Sequence, residues 1–224
     1  KLLGATLDLE RLAARVATGA ARAPELLALS ATRATADDVR RQLSASAGAR
    51  LLAQAAREID PVDEARALID ASVGDTHAQA LRAERDPRLR ATHAAIDADR
   101  ALIAGLERTE RERTGIRTLK VGYNKVFGYY FEVSRANRKP LPDDFERKQT
   151  LTNAERYITP ALKTAELRIA AAEERLATLE SELYVALVEE LSGYVARIRA
   201  TAVALATIDA VQALATVAAE QRYV

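Results

Sequence analysis

The chain has 224 residues, of which 29% are charged, with 33 basic side chains against 32 acidic ones and no cysteine. That balance leaves no field over the whole molecule to draw in nucleic acid or a membrane surface, so any such attraction has to be local. The missing thiols exclude disulfides, zinc–thiolate sites and thiol redox chemistry. No secretory pattern and no unbroken run of 18 apolar residues is found, and the start at Lys1 reads as that of a segment excised from a longer protein.

In chain order, Leu9, Leu12, Ala13 and Val16 recur at helical spacing between Leu7 and a stop at Gly19. A second helix is expected from Pro24 and a third after Thr35, where "ADDVRRQL" puts acids at a helix start. Residues 50–72 read as more helix, broken near Pro61, and the polar stretch 74–87 reads as a connection. From Pro87 the pattern hardens, because Leu89, Ile96 and Ile103 are spaced by seven, giving one long helix over 88–114. Thr159 and Pro160 supply a cap and first turn for another, in which Leu162, Ile169, Leu176 and Leu183 again repeat by seven. Ala165, Ala172, Leu179 and Ala186 fill the intermediate core positions, so this is a coiled-coil seam whose partner is the helix 88–114. Each helix is expected to run about 27 residues, roughly 40 Å, as an antiparallel lever. After Gly193 helical spacing resumes from Val195 to Val217.

Between the two long helices lies "TLKVGYNKVFGYYFEVSR", residues 118–135. Leu119, Val121 and Tyr123 alternate with polar or small residues, as do Tyr129, Phe131 and Val133, which predicts two strands around an "NKVFG" turn. "FERKQTL" from Phe145 predicts a third strand, needed because a lone hairpin is marginal in water. Six of the ten Phe and Tyr residues fall within 116–153, as a miniature core requires. The same window holds eight basic side chains, Lys125, Arg147 and Lys148 among them, against four acidic ones. A cationic tip of this kind suits contact with a polyanion backbone. Thr152 with Glu155 three residues on reads as a capping box, a helix start with amides free for phosphate near Lys148 and Asn153.

These residues resemble the MutS family of DNA mismatch-recognition proteins. "ERERTGIRTLKVGYNKVFGYYFEVSRAN" and "RKQTLTNAERYITPALK" are similar to that family's clamp region, "DLERLAARVATGAARAPELLAL" to the start of its helical core, and "ALATIDAVQALATVAAEQRYV" to the stretch before its ATPase domain. The resemblance implies a lever of long helices ending in a clamp that touches duplex DNA without reading sequence, with Lys148, Thr152 and Asn153 near the DNA and Arg147 adjacent. It further implies a parent that binds mismatched DNA, uses ATP and Mg, forms a homodimer, works with a MutL-like partner, and is cytoplasmic and nucleoid-associated. Two departures stand out: Thr152 occupies a position where some members carry lysine, and the glycine-rich turn expected before "DPRLRATHAAI" is missing.

The expected fold is mainly α, a helical core with an antiparallel coiled-coil lever carrying a small β-containing clamp, divided as 1–115, 116–153 and 154–224. No catalytic residue, metal ligand or cofactor is assigned here: none of the nine glycines belongs to a GxxxxGK[ST] loop, and His77 and His93 lack partners at metal-ligand spacing and read as solvated. Glu173, Glu174 and Glu180 read as charged faces flanking the seam. The candidate DNA contacts are Lys148, Asn153, Thr152, Arg147 and Lys125. A protein-interaction arm and an RNA-gripping arm are the alternatives, and no membrane contact is expected, since acids and bases mix on the polar faces.

Overall fold

The computed structural model describes residues 8–44, 50–74, 80–137 and 139–223. Leu7, His77 and Arg138 lie outside them. Seven α-helices and four strands follow in order: α1 Leu9–Ala17, α2 Ala23–Ser44, α3 Arg50–Glu58, α4 Asp63–Ser72, a 3-10 turn Ala83–Arg85, α5 Pro87–Thr114, β1 Lys120–Asn124, β2 Gly128–Ser134, β3 Glu146–Thr150, β4 Ala154–Ile158, α6 Pro160–Ser192 and α7 Val195–Glu220. The mainly α class with a small β element is borne out. Two compact units divide the chain, one of residues 86–179 and one of residues 1–85 with 180–224.

In the second of these, α1 buries Leu9, Leu12, Ala13 and Val16, the stripe its spacing predicts. Asp8 caps it, its carboxylate accepting from Arg11 N at 2.9 Å. The separate helix expected after Thr35 does not exist, for α2 runs unbroken over 22 residues. Asp37 and Asp38 are paired with Arg40 and Arg41 on its surface, so they support a helix interior as well as a start. The break at Pro61 holds. There Thr201 of α7 donates to Asp60 O at 2.9 Å and accepts from Asp60 N at 3.0 Å, while Arg197 grips the Asp60 carboxylate at 2.6 Å. α7 is long and apolar enough to cross a membrane, with mean hydropathy 1.7 over an 18-residue window of which 17% is buried. The uninterrupted-run criterion misses it because Asp209 and Gln212 break the run, and its first half forms core through Val195, Ile198, Leu205 and Ile208.

The unit 86–179 holds the tip. Asp86 caps α5 by accepting from Arg88 N at 2.7 Å, Pro87 fits the first turn, and Gly115 ends the helix at φ 66°. α5 and the first part of α6 run antiparallel, bridged by Arg168–Asp99 at 2.6 Å and Arg100–Glu173 at 2.9 Å. Between them Ile96, Ile103, Leu162, Ala165, Ile169 and Ala172 are buried. Farther along the predicted seam, Leu176, Leu179 and Leu183 are half-buried and Ala186 is exposed. The fourth member of the α5 heptad is Glu110, 7% exposed, whose carboxylate accepts from Arg113 at 2.7 Å. α6 extends over 33 residues, past the expected length.

The sheet corrects two readings. It has four antiparallel strands in the order β1-β2-β4-β3, so the strand predicted from Phe145 pairs with β4 and not with the hairpin. Residues 154–158, placed beside a helix start by the capping-box reading, are that fourth strand. Glu155 never reaches back to Thr152. Its carboxylate accepts from the Tyr157 hydroxyl and pairs with Arg147 at 3.4 Å. The helix starts at the other predicted cap, where Thr159, 2% exposed, accepts from Leu162 N at 3.3 Å. Phe131, Leu119, Val133 and Phe145 close the sheet onto the helices.

Candidate nucleic-acid interface

The sheet has two chemically different ends. At one, the β1–β2 turn folds back beside α6: Gly128, at φ 73°, lies so close to Glu166 that an added Cβ would meet its Oε1 at 1.4 Å. Asn124 Oδ1 accepts from both Val126 N and Phe127 N, at 2.9 and 2.7 Å, so the turn is an Asx turn and only Gly128 takes the positive φ. Lys125 is exposed in this turn.

At the other end, β2 finishes against the β3–β4 turn. Arg135 N donates to Asn153 O at 3.1 Å, and Leu151 N to Ala154 O at 2.8 Å. Thr152 and Asn153 are exposed, and their own N–H groups have no acceptor among the described residues. The chain leaving α5 reaches the same place, where Gly115, Arg117, Thr118, Asn137 and Lys139 line a groove of about 480 Å³. Lys139 Nζ donates to Gly115 O at 2.7 Å, fixing one wall. Seven residues of β2 at ~3.4 Å each put roughly 20 Å between the two turns. Of the sequence candidates, the structure therefore brings Thr152, Asn153, Arg147 and Lys148 together on β3 and its turn, and it places Lys125 at the opposite end.

Electrostatics sort the basic groups further. Lys148 is the bulge residue between Arg147 and Gln149, exposed, its Nζ 2.5 Å from Glu146. Arg147 is exposed and loosely held by Glu155. The Tyr157 hydroxyl, with help from Arg147, holds the Glu155 carboxyl below its usual range. Burial and the same hydrogen bond push the Tyr157 phenol up to about 12. Arg117 is exposed and makes no ion pair within the described residues, and Arg135, also exposed, makes none at salt-bridge distance but adds its charge to the lowering of the Glu155 carboxyl. In the sequence these two arginines register only as local charge. Nothing in linear order sets them beside Thr152, which takes the β2–β4 pairing. The predicted solvation of His93 is corrected too: it is half-buried, with Nε2 enclosed and unpartnered.

The far end thus offers exposed guanidinium groups, the Asn153 amide, a threonine hydroxyl and unpartnered backbone N–H groups, donors that suit phosphate oxygens and read no base. Residues 84–175, which contain all of it, match the family model for MutS family domain IV. Over nearly its whole length the chain is similar to MutS proteins. It is 45% identical over 231 residues to the DNA mismatch repair protein MutS of Pelotomaculum thermopropionicum, covering 99% of this chain and 26% of that protein. It is 41% identical to DNA mismatch repair protein MutS 2 of Haloarcula marismortui, over 99% of this chain and 24% of the relative. Against MutS of Geobacillus thermodenitrificans the identity is also 41%, over 97% and 24%. The chain spans about a quarter of the length of the curated relatives it matches. The family-model match takes in α5, the whole sheet and the first half of α6.

Proposed function

We infer that this MutS-family segment grips the duplex DNA backbone without sequence preference, through the end of the sheet formed by Lys148, Thr152, Asn153 and Arg147. Arg135 and Arg117 add two contacts at the same end. The observation that carries this reading is the convergence of exposed guanidinium groups and unpartnered turn amides on one end of the sheet, joined by the Arg135–Asn153 hydrogen bond. The relatives' printed name, DNA mismatch repair protein, supports it.

The parent protein is then a mismatch-repair factor that binds mismatched duplex and hydrolyses ATP with Mg through residues outside this segment. It acts as a homodimer with a MutL-like partner, in the cytoplasm at the nucleoid. Nothing in this segment supplies a phosphate-cradling GxxxxGK[ST] loop, so no catalytic step is assigned to its residues. Backbone contact at the sheet is passed along α5 and α6, whose packed seam resists bending better than a loop would.

A salt titration of the chain on duplex DNA and on structured RNA tests the reading. Three to five neutralised phosphates give a slope of log affinity against log salt of roughly −3 to −4.5, with dissociation constants of ~10⁻⁴ to 10⁻⁶ M. Salt-independent binding, stronger binding to RNA, or a tenfold preference for mismatched over matched duplex would overturn it.

A further inference from the structure

The β1–β2 turn, at the end of the sheet that the DNA reading leaves unused, is apolar. Val126 is 81% exposed, Tyr123 60% and Phe127 42%. Isolated exposed apolar residues are ordinary, but three within five positions on one tight turn form a patch. The turn is also rigid. Asn124 fixes the backbone by accepting from two of its amides, Gly128 sets the return at positive φ, and the Tyr123 ring leans on Tyr129 with centroids 4.9 Å apart. Presenting these side chains to a partner therefore costs little ordering entropy.

We propose that this turn is a protein-docking knob, and that its partner carries an apolar pocket rimmed by carboxylates. Charge complementarity selects the rim. Lys125, the turn's one charged residue, makes no ion pair within the described residues, and the α6 carboxylate beside Gly128, Glu166, is taken by Lys163 at 2.9 Å. A DNA backbone is a poor occupant, because phosphates would leave Val126 and Tyr123 in water while offering one cation a partner. Tyr123 is of a residue type enriched among the energetically dominant contacts of protein interfaces.

The test replaces Val126 with the photocrosslinker benzoylphenylalanine in the full-length protein expressed in its own cells, with crosslinked peptides identified by mass spectrometry. The expected product is one peptide of another protein, apolar and flanked by Asp or Glu. Its yield falls at least tenfold when Lys125→Glu is added and is unchanged by Lys148→Ala, which separates this surface from the DNA-binding end. Crosslinks to nucleic acid, to lipid or to a second copy of the chain, or none at all, overturn the proposal. The same probe at Tyr123 gives a second reading if the variant at 126 does not fold, and the thermal melt of each variant reports that directly.

Discussion

Arg135 and Asn153 are joined through their backbones, N to O at 3.1 Å, and this bond sets the end of β2 against the β3–β4 turn. Two segments far apart in linear order thereby become one surface.

The first prediction follows from the separation of the sheet's ends. Lys148→Ala or Arg135→Ala should lower the magnitude of the salt slope on duplex DNA by about 0.9 each, one phosphate contact. Lys125→Ala, roughly 20 Å away by strand rise, should leave the slope unchanged. A slope that responds to Lys125 as it does to Lys148 would place the DNA across the whole sheet.

Alkaline stability should report Tyr157. Its folded-state pKa is raised from an ordinary 10.0 to about 12, so the neutral phenol is favoured by folding. The contribution is complete below pH 10 and is lost as pH rises through 12. Tyr184, its hydroxyl donating to Ala21 O at 3.1 Å, is raised to about 12 by burial and acts in the same sense. Denaturant midpoints should be flat from pH 7 to 9 and fall above 10, with a smaller fall in Tyr157→Phe; equal falls in both proteins would exclude Tyr157 as a source. Glu155 acts at the other extreme: its depressed pKa means that stability is present above the usual carboxylate range and lost on acidification through the folded value.

Glu110 and Arg113 should respond unequally to removal. Glu110 occupies a heptad core position, so Glu110→Leu exchanges a buried acid for a residue that fits the seam, while Arg113 keeps Asp144 at 2.8 Å. That change should lie within about 1 kcal/mol of neutral. Arg113→Leu leaves the Glu110 carboxylate buried without its cation and should cost about 1–3 kcal/mol. Chemical denaturation of both variants decides it, and the reverse order would show that the buried Glu110 carboxylate does not depend on Arg113.

Gly128→Ala should destabilise the tip by about 1–2 kcal/mol through its left-handed backbone alone. The clash with Glu166 is with the end of a flexible side chain, which can rotate away at the expense of its pair with Lys163. In a Glu166→Ala background the penalty should therefore persist. If it vanishes, the contact and not the dihedral is what excludes alanine.

Local patterns carried much of the fold. Spacing by seven marked α5 and α6 because a helix turns every ~3.6 residues whatever surrounds it, and alternation marked β1 and β2 because strand side chains face opposite sides in turn. The family resemblance rested on wording just as local. What those patterns left unresolved were choices between equal local fits. Thr152 and Thr159 both read as helix caps, and "FERKQTL" could pair with either edge of the hairpin. The acids after Thr35 suit a helix start and equally an i,i+4 pair inside one continuous α2.

Tertiary structure made those choices. Once β2 pairs with residues 154–158 across some twenty positions of chain, Glu155 is spent on Tyr157 and Arg147, the cap falls to Thr159, and β3 becomes the outer strand. The same pairing sends Lys125 to one end of the sheet and Arg135, Lys148 and Asn153 to the other. The sequence by itself therefore settled where α1, α5, α6, β1 and β2 lie and that residues 116–153 are cationic, because those depend on neighbours within a turn or two. Which cations share a surface depends on long-range strand pairing, whose register is set by the fit of Phe131, Val133 and Phe145 against α5 and α6.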